Sequence, residues 1–334
     1  MFKFLKNILL GIIVLILIIT AGLYVYYKYS FKKIDKKYTF LYIYPNMNIN
    51  SLSDSLEEKG ILRDAYLFKL MAKEMGLNSL KPGKYRITNK MNLPTIINIL
   101  KYGKEEYVTI NIHAEVFYFE DLISAISAKT YLTDKLLTEQ ILSLQKDKNI
   151  MNYLLISSFN TSWAVSSRAI YDSIQNSYYC FWTQQKKSLL KTTGLTETEC
   201  MILASIVQHE SSIFSEQKKI AGVYINRLKA KMPLQADPTL KYINHKMSAS
   251  RLYNSDKEIN SPYNTYKYSG LPPTTLGAVS IQAINAVLNF ERHNYLYFCA
   301  KPEMNGYSNY SKTFDEHLKC ARQYQQKLNK LNIQ

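Results

Sequence analysis

TETECMILASIVQHE, residues 196–210, is the stretch whose reading decides how this chain folds. Thr196, with Glu199 three places on, forms a capping box, in which each side chain satisfies a backbone N–H that the first helical turn leaves open. Met201, Leu203, Ala204, Ile206 and Val207 follow with almost no polar interruption. The helix they predict is apolar around most of its circumference and belongs inside a core. Gln208, His209 and Glu210 close it. An ionised carboxylate is costly at the end of a buried helix unless it is paired or protonated. A glutamate pointing at water is the ordinary explanation for such a residue and a functional acid the other, so the neighbouring sequence has to choose.

Working outward, residues 205–242 read SIVQHESSIFSEQKKIAGVYINRLKAKMPLQADPTLKY. Further on come Tyr263–Asn264–Thr265–Tyr266, Gly270–Leu271–Pro272–Pro273 and Tyr295–Leu296–Tyr297–Phe298. In order and spacing these phrases resemble the MltG-type (YceG-like) endolytic murein transglycosylase family, over nearly all of 180–334. The resemblance implies an α+β lytic transglycosylase domain in which Glu210 is the acid/base residue. Such an enzyme cuts the bond between N-acetylmuramic acid and N-acetylglucosamine within nascent glycan strands, closes a 1,6-anhydro ring, and terminates strand elongation. One glutamate suffices there, whereas hydrolytic glycosidases need two carboxylates about 5–5.5 or 6.5–9.5 Å apart. To begin protonated near neutral pH, Glu210 needs an apolar setting that disfavours its anion. Gln235, Asp237 and Thr239, in and after the loop that follows Ile225–Leu228, together with Tyr263, Asn264 and Tyr266, are the candidate substrate-binding residues. Arg227 reads equally as a buried structural partner and as a substrate contact.

The chain departs from the family pattern at three places. Gln208 stands where glutamate is usual. Ile156, Ser158, Phe159 and Asn160 replace a Pro-x-Thr-Tyr-Glu loop, and Ser308 and Tyr310 replace a His-x-Phe phrase. Each change removes a group that could touch substrate, which keeps a second class of function in view: a catalytically impaired, membrane-anchored cell-wall-binding scaffold of the same fold.

Upstream, residues 38–44 (YTFLYIY) read as a strand. Ile49, Leu52, Leu56 and Ile61 recur at helical spacing, with Gly60 placed to end the helix. A helix over 64–76, a Pro82–Gly83 turn, a strand KYRIT and a helix over 92–103 capped by Asn92 complete the pattern. The order, with LKPGKYRIT and IINILKYGK, resembles the LysM-like module preceding the catalytic domain in the same family; a small α+β spacer is the plainer reading. Residues 107–127 repeat strand-then-helix, 130–150 are polar and helical, and 151–168 form a Ser-rich loop before a helix near 168–190. Tyr178, Tyr179, Phe181 and Trp182 on that helix are expected in a core.

Residues 7–27 (NILLGIIVLILIITAGLYVYY) carry no charge, and at 1.5 Å per residue span about 30 Å, the hydrocarbon thickness of a bilayer. The run is long for a signal peptide, and Tyr24, Tyr26 and Tyr27 suit an interfacial belt. The expected organisation is thus a short cytoplasmic tail (1–6), a single-pass anchor (7–27), a basic linker (28–37), the LysM-like module (38–106) and the catalytic domain (107–334, core signature 196–300). Lys28, Lys32, Lys33, Lys36 and Lys37 outnumber Lys3 and Lys6, which by charge alone places the bulk of the chain in the cytoplasm. The resemblance implies the opposite: a catalytic domain on the outer side of the cytoplasmic membrane, with peptidoglycan strands as substrate and wall-synthesis polymerases and transpeptidases as partners.

A formal charge of +16 suits an anionic partner. The lysines are dispersed and no nucleic-acid module is visible, so nucleic acid is not expected. Cys180, Cys200, Cys299 and Cys320 lack metal-like spacing and read as buried free thiols. His209–Glu210 fails the HExxH zinc pattern at its second histidine, and no Gly-x-Ser-x-Gly elbow or phosphate loop occurs. Neither metal nor organic cofactor is implied.

Overall fold

The structure, a computed structural model, describes residues 2–30, 37–62, 64–145, 149–247 and 252–330. The chain divides into two compact units, Met1–Val108 with Asn160–Val165, and Thr109–Phe159 with Ser166–Gln334.

The first unit begins with α1 (Phe2–Ser30), a continuous helix of 29 residues. Its apolar side chains from Ile8 to Ile19 are exposed. The Thr20 hydroxyl donates back to the carbonyls of Ile16 and Leu17, so its polarity is spent within the helix. Among the described residues no helix is long and apolar enough to cross a membrane. The side chains of Tyr26 and Tyr27 and linker residues 31–36 lie outside those described.

Next, β1 (Tyr38–Ile43) pairs antiparallel with β2 (Gly83–Thr88), from Tyr38 opposite Thr88 to Ile43 opposite Gly83. Between them run α2 (Ile49–Glu58), capped by Asn48, and α3 (Ala65–Glu74), capped by Asp64; α4 (Leu93–Tyr102), capped by Asn92, follows. The strands' alternation places Leu41, Ile43, Tyr85 and Ile87 on one face, where they pack with Leu52, Leu56, Phe68, Ile96 and Ile97. Gly60 adopts φ +65° just past α2, a conformation costly for any side-chain-bearing residue.

Downstream, β3 (Val108–Ile112) pairs with β4 (Ser157–Thr161), and α5 (Phe119–Ser127) and α6 (Asp134–Gln145) lie between them in sequence. The expected Ser-rich loop therefore contains a strand. SSFNT has one apolar residue, Phe159, so its sequence lacks the apolar alternation that reveals a strand, although its exposure alternates once paired. The helix expected near 168–190 is two, α7 (Ser167–Phe181) and α8 (Gln184–Lys191), because Thr183 caps the second by accepting from the Lys186 N–H. Tyr178, Phe181 and Trp182 are core residues as expected, whereas Tyr179 is exposed.

The remaining elements are α9 (Glu197–Glu210), α10 (Phe214–Lys229), α11 (Asp237–Ile243), α12 (Ile281–Leu288), the antiparallel pair β5 (Tyr297–Ala300) and β6 (Ser308–Ser311), and α13 (Phe314–Lys330). In α9 both arms of the Thr196–Glu199 capping box are present, and every residue from Cys200 to Val207 is buried. The helix packs against α10, α11 and α12 and forms the centre of the second unit. All four cysteines are free; Cys200 is buried, but Cys180 is exposed and Cys299 and Cys320 are half-buried. Gly277, at φ +117°, lies where a Cβ would stand 2.6 Å from the Val116 carbonyl oxygen, so this close crossing admits only glycine.

Candidate active site

Glu210 is the last residue of α9; Ser211, with φ −154°, is already extended. The chain turns at once into α10, whose second half presents Tyr224 and Arg227 one turn apart. Tyr224 is fully buried, and its hydroxyl donates to Glu210 Oε1 at 2.6 Å. A buried tyrosine hydroxyl needs a partner, and here the partner is the acid. Arg227 is also buried, but its donors go to backbone: Nε to the Leu296 carbonyl at 2.6 Å and Nη1 to the Leu234 carbonyl at 2.8 Å. Nη1 also reaches Gln235 Oε1 at 3.3 Å. Arg227 therefore shapes the wall of the site by holding two loops, which favours the structural of its two expected roles. Asn226 likewise holds the carbonyls of His293 and Tyr295.

The wall opposite consists of two interlocked loops. Gln235, at φ +50°, donates its N–H to the Thr265 carbonyl, and Ala236 N–H donates to Thr265 Oγ1. Asp237, opening α11, accepts from the Tyr266 hydroxyl. Together Glu210, Arg227, Leu234, Gln235, Asp237, Tyr266, Phe298 and His317 line a cavity of about 320 Å³. Four of the seven residues expected at the site thus converge: Glu210, Gln235, Asp237 and Tyr266.

The other three are part of the scaffold. Asn264 is wholly buried, and its amide donates to the carbonyls of Lys257 and Ile259 while its oxygen accepts from Tyr266 N–H. Thr239 is equally inaccessible, bonded to the Ala236 carbonyl and Thr265 Oγ1. The Tyr263 hydroxyl pairs with Thr274 Oγ1 at 2.7 Å, and its ring packs on Tyr242. With these polar groups bonded within the protein, the three side chains brace the loop. Sequence reasoning passed over Tyr224, Phe298 and His317. A tyrosine within the short apolar run Ile220–Ile225 was the only local sign of the first, and the others reach the cavity through tertiary contacts.

Burial pushes the Glu210 carboxyl up to about 7, with nearby Asp237 adding to the effect; the Tyr224 hydrogen bond, Lys241 and Arg227 act against it. The C-terminal end of α9 carries partial negative charge and also disfavours the anion. Near neutral pH the acid is poised between its two forms. Burial, then Lys241, pushes His209 down to about 4, so it is neutral. Tyr266 is pushed well up, by burial and by its bond to Asp237.

Two larger cavities lack this chemistry. One of about 500 Å³, beside Gly194, Leu228 and Leu271, contains Glu199, which is committed to the helix cap. The other, of about 880 Å³ in the first unit, lies between Asn46–Asn50 and Leu77–Pro82 and holds no acid. Among the described residues no group of three or more His, Cys, Asp or Glu side chains converges as metal ligands would.

The three departures from the family pattern fall outside the cavity lining. Gln208 donates to the Ala278 carbonyl and accepts from Ser280 N–H, tying the end of α9 to the segment before α12. Ser308 N–H and the Tyr310 hydroxyl both donate to buried Glu216. Ile156 N–H donates to the Val279 carbonyl.

Residues 41–323 match the model of the YceG-like family. The chain is 28% identical to the endolytic murein transglycosylase of Bacillus subtilis strain 168, with 92% of this chain and 91% of that protein covered. It is 25% identical to the protein of the same name from Streptococcus pneumoniae strain D39, covering 88% of this chain and 61% of that longer one. A crystal structure of a yceG-like protein from Listeria monocytogenes superposes with a TM-score of 0.54 at 26% identity, over 85% of this chain and 99% of the other. With most of its length matched by the family model, this chain is a member of the YceG-like family.

Proposed function

We propose that the protein is an endolytic lytic transglycosylase acting on nascent peptidoglycan strands, with Glu210 as its acid and base. The observation that carries this reading is a carboxyl poised near neutrality in a cavity, held by Tyr224 at 2.6 Å. Protonated Glu210 gives its proton to the glycosidic oxygen between N-acetylmuramic acid and N-acetylglucosamine, and the C1–O bond breaks with oxocarbenium-like charge at C1. The 6-hydroxyl of the same muramic acid then attacks C1, and the Glu210 carboxylate takes the hydroxyl proton. A 1,6-anhydro ring forms, no water is consumed, and Glu210 ends protonated as it began. Tyr224 stays bonded to the carboxyl throughout and holds its orientation. Asp237, fixed by Tyr266, supplies negative charge that favours the cationic transition state.

Relatives named endolytic murein transglycosylases and an intact Glu210 cavity support activity over the scaffold alternative. In the same reading, residues 7–27 anchor the chain in the cytoplasmic membrane with the catalytic domain outside, and 38–106 act as a LysM-like glycan-binding module. Strand termination then places the enzyme beside glycan polymerases and transpeptidases. Asp237 is a second carboxylate in the cavity, so hydrolysis is the competing outcome. Incubating the detergent-solubilised full chain with uncrosslinked glycan strands, followed by mass spectrometry, decides. Anhydro-ended fragments that disappear with Glu210→Gln are expected; reducing-end products would mean hydrolysis, and binding without cleavage would mean a scaffold.

A further inference from the structure

His317 reaches the Glu210 cavity from α13, an element that buries no residue completely. Its ring stacks on Tyr297, with centroids 5.5 Å apart and planes at 22°, and Phe314 one turn earlier lies 5.8 Å from the same tyrosine. The Arg227 guanidinium lies 5.1 Å from the Tyr297 ring. The imidazole thus stacks on a ring that Phe314 and the Arg227 guanidinium also contact.

Its two nitrogens are in unlike positions. Nδ1 is closed off from solvent and has no hydrogen-bond partner among the described residues. A buried N–H without an acceptor is among the rarest and most costly defects in a folded protein, while a bare acceptor is better tolerated. The proton therefore belongs on Nε2, at the accessible edge of a half-buried ring that lines the cavity. Burial and the Arg227 charge both oppose a second proton, so the ring is neutral at pH 7. The neighbouring polar groups are engaged: Glu210 with Tyr224, Asp237 with Tyr266, and Arg227 with backbone carbonyls.

We propose that His317 is a substrate-binding residue whose Nε2–H donates to an oxygen of the N-acetylated glycan seated over Glu210. The proposal rests on the transglycosylase reading for its ligand but not on cleavage. A donor fixed by stacking costs little ordering on binding, which makes it suited to setting the position of a sugar against the acid.

The test uses the full chain in detergent and two variants. His317→Phe keeps a ring to stack on Tyr297 and removes the donor, while His317→Gln places an amide N–H near the position of Nε2. Each is combined with Glu210→Gln, and binding of an uncrosslinked N-acetylglucosamine–N-acetylmuramic acid tetrasaccharide is measured by calorimetry. In parallel, kcat/KM is measured with Glu210 intact. Loss of one donor should weaken binding by about three- to tenfold in His317→Phe, with most of it recovered in His317→Gln and an unchanged unfolding midpoint. Equal binding by His317→Phe and the parent overturns the proposal. So does equal weakening in both variants with a lowered midpoint, which would make the residue a helix-docking element, and so does a parent chain that binds no glycan. If His317→Phe weakens binding while the unmodified chain yields no anhydro product, the proposal stands and the transglycosylase reading falls.

Discussion

Tyr224→Phe isolates what sets the protonation of the acid. The hydroxyl donates to Glu210 Oε1 at 2.6 Å, a bond stronger to the carboxylate than to the neutral acid, so it holds the carboxyl below where burial alone would place it. A charge-assisted hydrogen bond is worth about 1.5–3 kcal/mol, which corresponds to about one to two pH units. Glu210 must carry its proton to begin the reaction, so kcat/KM falls as pH rises through its pKa of about 7. In Tyr224→Phe that alkaline limb should move up to about 8–9, and the plateau beneath it should drop because the carboxyl loses its orienting contact. The ring packs among buried apolar neighbours that phenylalanine also satisfies. A pH–rate profile on glycan strands, with a ¹³C-NMR titration of the glutamate carboxyl, checks both. An alkaline limb that stays near 7 or moves down refutes the claim that this bond stabilises the anion.

Ionising Glu210 costs the folded state, because its pKa rises from 4.5 unfolded to about 7 folded. The cost is absent below about pH 4.5 and complete above about 7, reaching about 3 kcal/mol. Glu210→Gln should therefore unfold at higher denaturant than the parent at pH 8 and at the same denaturant near pH 4; a difference independent of pH would contradict it. Gln208→Glu keeps the acceptor for Ser280 N–H but turns the other oxygen toward the Ala278 carbonyl. Its carboxyl should be forced upward in pKa, with a destabilisation of about 1–3 kcal/mol above neutrality that fades in acid, read by urea unfolding at two pH values.

The Thr196–Glu199 box and the apolar run to Val207 were legible in the sequence because helix capping and burial patterns act over three or four residues. So were the strand, two helices and strand of the first unit, whose turns carry Asn48, Gly60, Asp64 and Asn92 where cap geometry requires them. Glu210, standing where an apolar helix ends, was likewise visible as an acid in an expensive place, and the phrases around it tied it to a family. Tertiary structure alone decided what that acid touches. Tyr224 lies fourteen residues on and meets Glu210 only because α9 and α10 pack side by side. Asn264 and Thr239 have the composition of ligand groups, yet the fold turns both inward and uses them to brace the loops that carry Asp237 and Tyr266. His317 and Phe298 come to the cavity from the far end of the chain. Propensity, capping and periodicity are properties of neighbours in sequence, whereas a side chain's hydrogen-bond partners and its distance from water are fixed only once segments far apart in the chain have packed.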